Sequence, residues 1–116
     1  MRDFRKYEIW QKGIDIADKI YDISDKFPKF EIYALADQLR RAAVSISSNI
    51  AEGASRTSAV EFAHYLEISI GSAFEVETQL QIAKRRKYVT DEVFNDIVSQ
   101  LQLEERQINT FISKLK

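Results

Sequence analysis

Glu61-Phe-Ala-His64 is the pair in this 116-residue chain that comes nearest to metal-ligand spacing. At Glu-x-x-His spacing on a helix, both side chains can face one point, as they do in di-iron bundle proteins. Such sites need the motif twice, plus further glutamates, and this chain has a single histidine. No metal site is therefore expected, and His64 reads as a solvated or partner-facing side chain. The absence of cysteine removes disulfides, thiolate metal sites and cysteine nucleophiles together. No Gly-x-Ser-x-Gly elbow and no phosphate-cradling glycine loop occurs. Neither an enzymatic activity nor a cofactor is expected.

Lys84-Arg85-Arg86-Lys87 is the one dense basic run. Cations at a helix C-terminus complement the helix dipole and usually stay solvated. In a ring of several copies, the same run would become a charged ring able to hold phosphates. Seventeen basic and eighteen acidic residues give a net charge of -1, so bulk charge disfavours nucleic-acid binding and any such contact must be local. Arg40, beside an apolar stripe, is expected about one helical turn from Glu75, as a buried pair or as an ion pair at an interface rim.

The elements that must position these residues are four amphipathic helices. The first spans about Tyr7 to Lys26, with Ile9, Gly13, Ile16, Ile20, Ile23 and Phe27 on one face. Trp10, Ile14, Ala17 and Tyr21 widen that face. Asp15–Lys19 and Asp22–Lys26 are expected as i,i+4 pairs, and Pro28 ends the helix. The second runs from about Ile32 to Ala51 on Leu35, Leu39, Ala42, Ile46 and Ile50, with Gly53 placed to stop it in the left-handed conformation. The third runs from Ser58 to Arg86, opens on the capping box Ser58-Ala-Val-Glu61, and carries the heptad seam Phe62, Leu66, Ser69, Ala73, Val76, Leu80 and Ala83. The fourth follows Thr90, with a seam of Phe94, Ile97, Leu101, Ile108, Phe111 and Leu115, interrupted by Glu104.

Four such helices with short breaks predict an all-α, antiparallel up-down-up-down four-helix bundle, one domain over residues 1–116. In that arrangement Lys84–Lys87 share an end with Lys26 and Lys29. Arg2, Arg5, Lys6, Arg56, Lys114 and Lys116 gather at the other. Tyr65, Ile68, Ile70 and Phe74 form apolar edges that cannot all point into one core, so they are expected to line a homo-oligomer interface. No apolar run is long enough to span a bilayer, and the basic start lacks the apolar stretch of a signal peptide. A soluble cytoplasmic protein with no membrane partner is the expectation.

Leu39-Arg-Arg-Ala-Ala-Val-Ser-Ile-Ser-Ser-Asn-Ile-Ala-Glu-Gly53 and Glu61-Phe-Ala-His-Tyr-Leu-Glu-Ile-Ser-Ile-Gly-Ser-Ala-Phe-Glu-Val-Glu-Thr-Gln-Leu80 closely resemble the bacterial 23S rRNA intervening-sequence proteins, often labelled S23 ribosomal protein. Trp10-Gln-Lys and Phe27-Pro-Lys extend the resemblance over nearly the whole chain. Ser47 stands where that family commonly has proline, which implies a straighter second helix. The resemblance implies a four-helix bundle, a homopentamer, no catalytic activity, and an association with rRNA or a ribonucleoprotein. A strongly basic branch forms a pentameric barrel that binds a reverse transcriptase and nucleic acid, and this chain, with a pI of 5.9, departs from it. The alternative reading is a protein-interaction scaffold with no nucleic-acid role.

Overall fold

The computed structural model describes residues 2–115, so Lys116 of the expected basic end lies outside the described residues. Four long helices account for most of the chain: α1 (Glu8–Ser24), α2 (Leu35–Ala54), α3 (Ala59–Arg85) and α4 (Asp91–Ser113). Two short 3-10 turns, Phe4–Lys6 and Lys29–Glu31, precede α1 and α2, and there is no strand among the described residues. Ser58 caps α3 by accepting the Glu61 amide at 3.1 Å, and Thr90 caps α4 by accepting the Val93 amide at 3.1 Å. Only half of the expected capping box forms, because the Ser58 hydroxyl itself engages the Glu61 carboxylate at 3.3 Å.

Each helix packs on its neighbour in chain order, and α1 and α4 close the set. All seven α3 seam residues are buried, together with Ile9, Ile16, Ile20, Leu39, Ile46, Ile50, Ile97, Leu101 and Ile108. Phe62 sits in an aromatic cluster with Tyr7 and Phe111, the ring centroids of Phe62 and Phe111 lying 5.5 Å apart. The α2–α3 contact is the most extensive. There the buried Ser69 hydroxyl donates to the Ile46 carbonyl at 2.7 Å, and Ser45 and Ser72 bond at 2.8 Å.

Two expectations about helix ends are corrected. Gly53 does not stop α2 in a left-handed turn, because α2 runs through it to Ala54 and no glycine has positive φ. What Gly53 provides is close approach: a Cβ there would lie 2.8 Å from both Phe62 Cδ1 and Tyr65 Cβ. The start of α2 also falls later than the apolar pattern suggests, since Pro28 opens a 3-10 turn instead. Ala34 offers no side-chain cap, and the Glu31 carboxylate accepts the Leu35 amide in its place at 3.3 Å.

Surface ion pairing differs as well. Neither Asp15–Lys19 nor Asp22–Lys26 pairs; Lys19 instead donates to Gln100 on α4 at 3.1 Å. Arg40 turns away from the exposed Glu75. Its guanidinium reaches Asp25 and the Ser24 hydroxyl, both at 2.7 Å, and lies over the Tyr21 ring. These contacts tie α2 to the end of α1. Exposed pairs of the first kind contribute little, so packing rather than charge decides them.

Glycines give a direct test of this packing. A Cβ at Gly71 would meet nothing within 4 Å, whereas one at Gly53 would collide with α3. Gly71→Ala is expected to stabilise the protein by about 0.5–1 kcal/mol through helix propensity. Gly53→Ala is expected to destabilise it by roughly 1–3 kcal/mol through overpacking. Chemical denaturation of both variants reads the two signs.

Candidate nucleic-acid interface

Helix α3 ends in a turn that shapes the basic run. Arg86 is its C-terminal cap, and Lys87 adopts φ 65°, the one positive-φ residue that is not glycine among the described residues. The Tyr88 amide donates to the Ala83 carbonyl at 2.9 Å, and the Lys87 amide to the Lys84 carbonyl at 2.9 Å. This is the 6→1 and 5→2 pattern that closes a helix through a left-handed residue. It folds Tyr88 back onto the molecule, where its ring packs 5.3 Å from Phe27 and its hydroxyl donates to Glu31 at 2.8 Å. The turn after α3 and the turn before α2 therefore form one surface.

The four cations of the run are not equivalent. The Lys84 ammonium lies over the Phe94 ring at 4.6 Å and 3.8 Å from Asp91, so it serves the α3–α4 junction. Arg85, Arg86 and Lys87 are exposed, as are Lys26 and Lys29. None of these five side chains has a hydrogen-bond or ion-pair partner among the described residues. Of the acids near them, Glu31 is taken up by Leu35 and Tyr88, Asp25 by Arg40 and Asp37 by Arg41, while Glu77 and Glu105 share a groove with Arg85.

At the opposite end every arginine is engaged. Arg2 donates to the Ala54 and Arg56 carbonyls and lies over Phe62. Arg5 pairs with Asp3, and Arg56 donates to Glu52 and to the Tyr65 hydroxyl. Both ends collect cations, and Lys6 and Lys114 are exposed at this one, but only the end with Lys84–Lys87 leaves exposed arginines uncommitted.

The expected interface residues fall on two sides of α3. Tyr65 is half-buried beside Gly53, and Ile70 is half-buried against the core. Ile68 and Phe74 are 40% and 59% exposed, and Ile82, which belongs to neither expected apolar edge, is 48% exposed. Phe74, Ile82 and Arg85 line one shallow groove with Glu77 and Glu105. Burial and the nearby Glu77 charge push the Glu105 carboxyl up, while Arg106 pulls it down. Glu61 and His64 are both exposed, and the Glu61 carboxylate meets Ser58. No group of three or more His, Cys, Asp or Glu side chains placed to hold a metal ion occurs among the described residues. No described helix is long and apolar enough to cross a membrane.

Glu104 is buried to a degree that its sequence position alone does not convey, although its break in the α4 seam marks it. It is fully buried, and neither carboxyl oxygen has a hydrogen-bond partner. Its Oε2 would lie 3.2 Å from a Cβ on Gly13, so the missing side chain on α1 makes room for it. The Ser47 hydroxyl, also packed against Gly13, is turned to the Trp10 carbonyl at 2.9 Å. Burial raises the Glu104 carboxyl to about 8, with Lys12 opposing the shift.

The folded state holds the Glu104 proton that the unfolded chain releases near 4.5, so its contribution to stability is complete below that pH and is lost as pH rises to about 8. Melting temperatures of the wild type should fall over this window, and those of Glu104→Gln should fall less. Lys87→Gly, which suits the left-handed turn, should stabilise the fold by about 1 kcal/mol in denaturant titrations.

A family model described as 23S rRNA-intervening sequence protein matches residues 5–110. A solved structure, described as a protein with unknown function from the S23 ribosomal protein family of Bacteroides thetaiotaomicron VPI-5482, is similar in fold. It is 24% identical with a TM-score of 0.79, and the match covers 90% of this chain and 97% of that one. No curated protein matches the chain.

Proposed function

This chain belongs to the 23S rRNA-intervening sequence protein family, and we propose that it acts as a non-enzymatic, self-assembling bundle that associates with rRNA or a ribonucleoprotein. The observation that carries the proposal is the end bearing Lys84–Lys87, where Lys26, Lys29, Arg85, Arg86 and Lys87 stand exposed without partners among the described residues. Phosphates are the groups such a cluster suits, because each cation that replaces a condensed counterion gains affinity by releasing it. The weak net charge of the chain is no obstacle, since local fields decide the contact.

In this reading the chain is one domain whose helices run up, down, up and down. The pairs Trp10–Ser47, Ser24–Arg40, Ile46–Ser69, Gly53–Phe62, Phe62–Phe111 and Lys84–Asp91 support that course. Copies assemble as a homopentamer with α2 and α3 at the contact, where Ile68 and Phe74 are exposed on α3 and Tyr65 and Ile70 flank them. A ring brings several basic ends together and multiplies their weak individual attraction. The protein works in the cytoplasm, where its RNA is found. The second reading is a protein-interaction scaffold without RNA, favoured by the exposed Ile68, Phe74 and Ile82 on α3.

An rRNA-fragment titration over a salt series separates the two. Binding is expected to weaken as salt rises, with log affinity linear in log salt. Replacing Lys84, Arg85, Arg86 and Lys87 together by Gln should weaken binding to every sequence and flatten the slope by about 1 for each phosphate no longer neutralised. Salt-independent binding, or equal binding by the variant, favours the scaffold. Sedimentation equilibrium should read a multiple of 13.5 kDa, five copies in the proposed assembly, and a mass of one chain at micromolar concentration contradicts assembly.

A further inference from the structure

Phe30 and Tyr33 are the most exposed aromatic residues among those described, at 75% and 94%. The chain has thirteen aromatic residues, and most of the others are drawn inward: Phe27, Phe62 and Phe94 are buried, and Tyr7, Trp10, Tyr88 and Phe111 pack against the core. The exposure of Phe30 and Tyr33 is not forced by a crowded core, because Phe27 and Leu35 on either side already fill it.

Their surroundings are basic. Glu31, between them in sequence, is turned inward by its bonds to the Leu35 amide and the Tyr88 hydroxyl. That second bond docks residues 29–33 against the turn that carries Arg86 and Lys87. Lys29 lies on the same 3-10 turn as Phe30, and Lys26 on the turn that closes α1 just before it. Two rings thus stand in solvent on the surface that carries Lys26, Lys29, Arg86 and Lys87, which have no partners among the described residues. Acids also stand at this end: Asp25 is bonded to Arg40, Asp91 lies 3.8 Å from Lys84, and Asp22 and Glu92 are exposed, so the exposed cations outnumber the acids left without a partner.

We propose that this surface binds single-stranded RNA, with bases stacked on Phe30 and Tyr33 and phosphates held by Lys26, Lys29, Arg86 and Lys87. The inference rests on the RNA reading above and adds the class of RNA. Every base has an apolar face that stacks on an aromatic ring, and those faces are available in a single strand but covered within a duplex. Charge selects the occupant. A second copy of this end would bring like cations together, whereas a phosphodiester strand complements both rings and cations.

The test uses the full chain in its native assembly, with fluorescence anisotropy as the readout. The probes are a labelled oligouridine of about 20 nucleotides and an RNA duplex of similar length. Wild type is expected to bind the single strand more tightly than the duplex. The double variant Phe30→Ala, Tyr33→Ala should lose about tenfold or more on the single strand. It should keep its salt slope, its duplex affinity and its melting temperature, because neither ring is in the core. The variant Phe30→Tyr, Tyr33→Phe, which retains both rings, should bind as the wild type does. If the alanine variant binds the single strand undiminished while the wild type shows salt-dependent RNA binding, the stacking surface is overturned and the RNA reading stands. If the wild type binds neither probe at any salt, both fall. If the alanine variant changes only the sedimenting mass, the two rings are a contact between copies and the proposal is overturned.

Discussion

The structure depends on the unbroken burial of the α3 seam. From Phe62 to Ala83 every fourth or third residue is enclosed, and α2 closes against it at a distance only small residues permit. Gly53 lets the α2 backbone meet Phe62 and Tyr65, while Ser69 satisfies the Ile46 carbonyl from within the contact. A polar seam residue such as Ser69 would be costly without that partner. With α2 and α3 fixed together, α1 and α4 complete the enclosure and meet where Gly13 gives way to Glu104. That carboxyl is the price of the seam's irregularity, buried and unpartnered rather than paired.

The heptads on α3 and α4 were legible because a buried helix face must repeat at helical spacing. Ser58 and Thr90 were legible as caps because local hydrogen-bonding chemistry specifies them. Features set by distant neighbours were not. Gly53 carries the same letter whether it turns a chain left-handed or admits a neighbouring helix, and only the position of Phe62 distinguishes these. The delayed start of α2 rests on Glu31, and Arg40 finds Asp25 rather than Glu75 because Ser24 and Tyr21 complete its site. At the candidate interface, the basic run itself could be read, but the withdrawal of Lys84 onto Phe94 could not. Phe30 and Tyr33 lie between helices, outside any apolar period, and their placement just after Pro28 is the signal that the sequence offers.

The two ends differ in how their charge is used. At the end near Arg2 and Arg56, the guanidinium groups satisfy carbonyls, a phenol and carboxylates, which makes them part of the fold. Near Lys87, Glu31, Asp25 and Asp37 are satisfied within the fold, and Lys26, Lys29, Arg86 and Lys87 have no partner among the described residues. The left-handed turn at Lys87 is a local cost of the kind that persists only where surrounding structure holds it. Here it brings the end of α3 against the turn before α2 and joins cations and aromatic rings on one surface.

Photo-crosslinking to RNA carrying 4-thiouridine, followed by mass spectrometry of the attached peptides, addresses the central claim most directly. Crosslinks are predicted within residues 26–33 and 84–88. Crosslinks confined to residues 2–6 and 52–56, or to the outer face of α3, would contradict the account, as would their absence.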